Sequence, residues 1–145
     1  MTNVQRAKNA ILKGGALYHF MSKGQRQVLQ GFLRGEEANH FSDVILQTVE
    51  VVEKMPTTYQ TDGQGGEAIV HLHYFKGNTD AWIIEKDRGD PLEPDDKRQH
   101  QAFGKVSMHG NELSYGYVSL EELIFNGVEL DLYWTPIPVK SIGKD

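Results

Sequence analysis

The side chains best suited to chemistry sit in two short alternating runs. His71-x-His73 places two imidazoles on one face of an extended strand, because successive side chains point to opposite faces. A metal there would need a third His or a carboxylate close by. A two-residue turn at Gly77-Asn78 instead sets Trp82 opposite His73 and Ile84 opposite His71, with Ile69 and Phe75 on the same face. His71 and His73 are therefore weak metal candidates, and both are expected as half-buried structural residues. Glu85-x-Asp87, around Lys86, is the second run. Paired carboxylates serve glycosidases and two-metal nucleases, but no third acid stands at a diagnostic spacing. The expectation is an edge of solvated charge before a loop, on the face opposite the histidines. A one-residue change of register would reverse that.

Other chemistry has less support. Ser119 lacks the Gly-x-Ser-x-Gly elbow, and Ser119-Leu120-Glu121-Glu122 reads as a helix-capping box. The run from Gly63 to Gly66 lacks the Gly-Lys-Ser/Thr ending of a phosphate loop. His19, His40, His100 and His109 show no metal spacing. The absence of cysteine excludes disulfides, thiolate metal sites and thiol nucleophiles. No cofactor, no metal and no catalysis are expected.

Charge divides the chain. Residues 1–34 hold Arg6, Lys8, Lys13, Lys23, Arg26 and Arg34 and no acid, whereas residues 35–145 carry a net charge of -11. The basic piece could meet nucleic acid, with Tyr18, Phe20 and Phe32 interleaved and a helix-turn-helix around Gly24 to Gly35. It could equally dock on the chain's own acidic part. The acidic remainder would repel nucleic acid and attract basic proteins.

The elements that position these residues follow from period and punctuation. In 145 residues, 39% are hydrophobic and 10% aromatic, enough for one compact unit. Residues 1–56 read as a helical region. Val4, Ala7 and Ile11 share a face before Gly14-Gly15; Val28, Leu29, Phe32 and Leu33 share another. Ser42-Asp43 reads as the start of a helix carrying Val44, Thr48, Val49, Val52 and Met55 and stopped by Pro56. Residues 57–66 read as a Gly-rich linker or mobile loop. Residues 67–145 read as an antiparallel sheet region, with strands over 67–76, 80–87, 101–108, 112–118 and 128–134 and one short crossover helix after Ser119. The fold class is α+β: N-terminal helices packed on a sheet of about five strands. Trp82, Phe103, Tyr115, Tyr117, Tyr133 and Trp134 crowd the sheet and are expected in the core against the helices. No apolar run reaches the roughly 20 residues of a membrane span, and MTNVQRAKNAILKGG has no apolar signal-peptide core, so a cytoplasmic protein is expected.

From His71 to Pro138 the chain resembles a family of small accessory proteins carried by conjugative plasmids, integrative elements and phages. The resemblance rests on AWIIEKD at 81–87, AFG at 102–104, GYVSLEEL at 116–123 and ELDLYWTPIP at 129–138. Such proteins sit among anti-restriction and other anti-defence genes. The resemblance implies a mobile-element product acting in the host cytoplasm. Joined to the charge pattern, it sets the expectation of an anti-CRISPR or anti-restriction type inhibitor. Such an inhibitor would bind a host protein or ribonucleoprotein defence complex stoichiometrically through Asp90, Glu93, Asp95, Asp96, Glu121 and Glu122, as carboxylates competing with phosphates for a basic channel. The alternatives are a DNA-binding regulator using the basic helices, and a metal-dependent hydrolase.

Overall fold

The computed structural model describes residues 1–143. Thr2 opens the first helix, α1 (Asn3–Ile11), with a reciprocal box: its hydroxyl accepts from the Gln5 amide and the Gln5 side chain accepts from the Thr2 amide. A Cβ at Gly15 would fall 2.0 Å from the Asn9 carbonyl, so only glycine lets the chain double back there. Ser22 caps α2 (Lys23–Phe32), which runs unbroken, so the turn of any helix-turn-helix begins only at Leu33, at the end of the stretch 24–35. The third helix, α3 (Ala38–Lys54), begins four residues before the start expected at Ser42. Ser42 is no cap. Its hydroxyl is buried and donates to the Ala38 carbonyl one turn back.

Two cores follow. Five strands, β2 (Leu72–Lys76), β3 (Thr79–Glu85), β4 (Ala102–Ser107), β5 (Ser114–Val118) and β6 (Glu129–Leu130), form an antiparallel sheet in the order β5-β4-β3-β2-β6. Helix α4 (Leu120–Phe125) crosses over between β5 and β6, with the Ser119 hydroxyl accepting from the Glu122 amide. One sheet face, with Leu72, Tyr74, Ala81, Ile83, Ala102 and Leu130, packs on Ala7, Ile11, Leu29, Leu33, Ile45 and Val52 of the helices. The α+β architecture is as expected. Val28 and Phe32 are the exception: exposed, they form the stripe next to Leu29 and Leu33, and the core reaches only one of the two. Phe32 stacks on Phe41 instead, ring centroids 4.4 Å apart.

Tyr74 faces the helices, but the aromatic residues expected there do not. In β3, Ala81 and Ile83 take the helix side, so alternation turns Trp82 the other way. Trp82, Phe103 and Trp134 join Val70, Ile84, Val139 and Ile142 in a second, smaller core on the far face. Tyr115, Tyr117 and Tyr133 are exposed. A two-stranded ribbon of β1 (Ile69–Val70) and β7 (Ile137–Pro138) lies there. The strand expected over 128–134 shrinks to Glu129–Leu130, because the chain turns at Asp131.

A bulge in β3 corrects the reading of Glu85. The register against β4 shifts between Ile83 and Glu85, so Ile84 is the extra residue and Glu85, paired with Phe103, follows it onto the same far face. Glu85 is no solvated edge. It lies on the far face, 2% exposed, and accepts from the Tyr59 amide, the Thr61 amide and the Thr61 hydroxyl. The segment 57–66 is thereby tied to the sheet through its turns. At the outer edge of β6, the Gln25 side chain bonds both the amide and the carbonyl of Leu130. Among the described residues no helix is long and apolar enough to cross a membrane.

Two substitutions check these anchors. Glu85→Leu strands three donors and should destabilise the fold by about 3 kcal/mol or more in chemical denaturation, with Glu85→Gln milder. Ser119→Ala should cost about 1 kcal/mol, the typical worth of a helix cap. An unchanged denaturation midpoint in either variant contradicts the assigned role.

Candidate partner-binding site

Asp87, two residues beyond the buried Glu85, closes the base of a long loop. One oxygen accepts from the Gly89 amide at 2.8 Å, and the other accepts from the amides of His100 and Gln101 at 3.0 and 3.1 Å. The buried Gln99 side chain accepts in turn from the Asp87 amide, and its carbonyl accepts from the Glu121 amide at the start of α4. Residues 88–98 are thus held at both ends. Inside the loop, Asp90 accepts from the Leu92 amide, and Asp96 grips the Arg98 guanidinium with both oxygens at 2.9 and 3.0 Å. The Arg98 fork holds the Asp96 carboxyl well below the usual carboxylate range and raises the guanidinium correspondingly. Glu121 completes the group, 2.9 Å from His100 and 3.5 Å from Arg98.

This arrangement sorts the acidic candidates. Asp96 and Glu121 are engaged with Arg98 and His100. Asp90, Glu93 and Asp95 are exposed, and Leu92 stands between them 87% exposed. Glu122 lies apart, lining a separate hollow with Lys76, Asn78 and His109. A cleft of about 720 Å³ opens between the loop and the Gly14-Gly15 turn, with Asp90, Glu93 and Asp96 on one wall and His19 among the residues opposite. Burial pushes the His19 imidazole below its ordinary value, partly offset by Asp96. From Lys86 to Arg98 five carboxylates stand with four cations, so the acidic excess is not concentrated in the whole loop but at its exposed tip. Leu92, Arg98, His100 and Gln99 escaped the sequence reading. The proline-bracketed PLEP at 91–94 was the one signal available for Leu92.

The basic candidates occupy two helices and their flanks. Arg6, Lys8, Lys13, Lys23 and Arg34 are exposed. Arg26 is half-buried, its guanidinium 4.2 Å from the centre of the Tyr18 ring. Arg6 shares a shallow hollow with Asp43, Glu50 and Glu53 of α3, so part of the basic segment docks on the chain's own acidic helix.

The two histidines of the strand motif part company. His73 pairs with Trp82 as expected and stacks on it, centroids 5.5 Å apart. Its ring nitrogens lie 2.8 Å from Asp80 and 3.1 Å from Asp131, so its neighbours are carboxylates as well as aromatic rings. Neither nitrogen is left free for a substrate. The strand breaks at His71, whose side chain lines a hollow with Gln47 and Val51 of α3 and with Met55 just after it, and burial pushes its imidazole down. Among the described residues no three His, Asp or Glu side chains converge as a metal-binding group.

Compared with known proteins, the chain matches no family model, no curated protein and no solved structure. What the site defines is a presented loop, clamped at its base and bearing an apolar tip among acids.

Asp87→Ala should free that base. Amide exchange at Gly89, His100 and Gln101 should accelerate by about tenfold or more, while the core strands exchange as before. Unchanged protection of these amides would show that Asp87 does not hold the loop.

Proposed function

We propose that this chain is a non-catalytic, stoichiometric binding protein that inhibits a host nucleic-acid-processing defence complex through the acidic loop 88–98. The observation that carries the reading is Leu92, 87% exposed between exposed Asp90, Glu93 and Asp95 on a loop clamped at both ends. A large apolar side chain held out on an ordered loop fits an anchor for a partner's pocket, where a few desolvated residues supply most of the affinity. The surrounding carboxylates would steer encounter with a basic surface. Clamping reduces the ordering cost that a mobile loop would meet on binding. The competing acids support the same reading. Glu85 and Asp87, the pair that could have served hydrolysis, spend their oxygens on backbone amides and a buried hydroxyl. The mobile-element origin and the defence target rest on the resemblance over residues 71–138.

The test begins with affinity capture from the host cell and proceeds to kinetics on the captured complex at two salt concentrations. Glu93→Lys with Asp95→Lys should slow association about tenfold at low salt and flatten its salt dependence. Leu92→Ala should act on dissociation, speeding it about tenfold. Lys8→Glu with Lys13→Glu should leave both rates nearly unchanged. If only the lysine reversal impairs binding, the basic helices are the contact surface and the loop reading fails.

A further inference from the structure

The sheet treats its two edges differently. At one end β6 is only two residues long, and the Gln25 side chain bonds both the amide and the carbonyl of Leu130, occupying the main-chain groups an intruding strand would use. At the other end β5 runs five residues, Ser114-Tyr115-Gly116-Tyr117-Val118, and pairs with β4 alone among the described residues. Natural edges are usually blunted by a charge, a proline, a bulge or a covering segment. The segment 114–118 contains no charge and no proline, and its register with β4 is regular from Ala102↔Val118 to Val106↔Ser114. Tyr115 and Tyr117, on one face, are 53% and 54% exposed.

We propose that β5 is a self-association edge, where two copies of this chain pair antiparallel about a two-fold axis at Gly116 to make one continuous ten-stranded sheet. The strand suits this occupant because it is nearly palindromic. Antiparallel pairing about Gly116 sets Tyr115 of each copy against Tyr117 of the other and Ser114 against Val118, an isologous contact. Tyrosine pairs facing across antiparallel strands are favourable, and here they extend the aromatic cluster of Phe103, Tyr115 and Tyr117 across the axis. Gly116 at the axis puts no side chain on the opposite sheet face, where a Cβ would meet nothing within 4 Å, so that face sets no obstacle to the pairing. Within 114–118 the pairing opposes no carboxylates, so the net charge of -5 on each chain does not fall on the paired strands. An extended peptide added to the same edge would gain the main-chain bonds but not the doubled tyrosine pairs. The inference is independent of the loop 88–98.

Sedimentation of the full chain from about 1 to about 100 μM should show a concentration-dependent monomer–dimer equilibrium. Over the same range, hydrogen exchange should show protection of the 114–118 amides rising with concentration. Tyr115→Lys with Tyr117→Lys opposes four like charges and should yield a monomer, as should Tyr115→Glu with Tyr117→Glu. Mixing the two variants should restore a dimer, because every lysine then meets a glutamate. Circular dichroism on each variant reports its fold, and the exchange experiment on the unaltered chain decides the matter should either variant fail to fold. A chain that stays monomeric throughout the range overturns the proposal. So does a dimer that survives the lysine substitutions, or two folded monomeric variants that do not associate on mixing.

Discussion

A carboxylate buried in a protein must find donors, and the donors Glu85 finds organise much of this molecule. The β3 bulge swings Glu85 onto the sheet face away from the helices, where it is nearly sealed from water. Leaving it unpaired would cost several kcal/mol. Its partners are the amides of Tyr59 and Thr61 and the Thr61 hydroxyl, so the chain leaving α3 is drawn across the sheet end. The same short run then works outward. Asp87, half-exposed, gathers the amides of Gly89, His100 and Gln101 and shapes the loop that leaves β3. One Glu-x-Asp pair thus fixes a connection on each side of a single strand end. The bulge is what lets the two carboxylates serve them.

The distribution of charge has a similar double aspect. In sequence, a basic head precedes an acidic body. In space Arg6 of the head shares a hollow with three acids of α3, while Arg98 locks Asp96 within the body itself. Exposed charge includes the acids around Leu92 and the lysines of α1 and α2. Surface charge that remains unpaired governs encounter and selectivity more than affinity, so an apolar group beside it carries more weight than net charge.

The second sheet face explains why the aromatic content is so high for a chain this polar. A sheet covered on one side by helices would leave the other side to water. Here the segment from Trp134 to Ile142 returns to cover part of it, with the Trp134 indole donating to the Val70 carbonyl and Lys105 donating to the Ile142 carbonyl. His73 sits in the same layer, its ring stacked on Trp82 and its nitrogens between Asp80 and Asp131. The imidazole there is a cross-link between β2, β3 and the turn after β6.

By itself the sequence determined the elements whose causes are local. The helix–sheet order, the Gly77-Asn78 hairpin with His73 across from Trp82, and the Ser119 cap follow from period, turn chemistry and a side chain's reach to its own backbone. Tertiary structure alone decided the rest. Which sheet face the helices cover decides where Trp82 and Phe103 lie, while the separation of His71 from His73 and the burial of Glu85 depend on a strand break and a bulge. Those irregularities shift a period-two pattern by one residue and so exchange the faces of everything beyond them. The Arg98 fork on Asp96 and the exposure of Leu92 likewise depend on a loop clamped from 12 to 14 residues away. No window of neighbouring residues contains that clamp, because the energy of placing a group depends on which distant partners come to meet it.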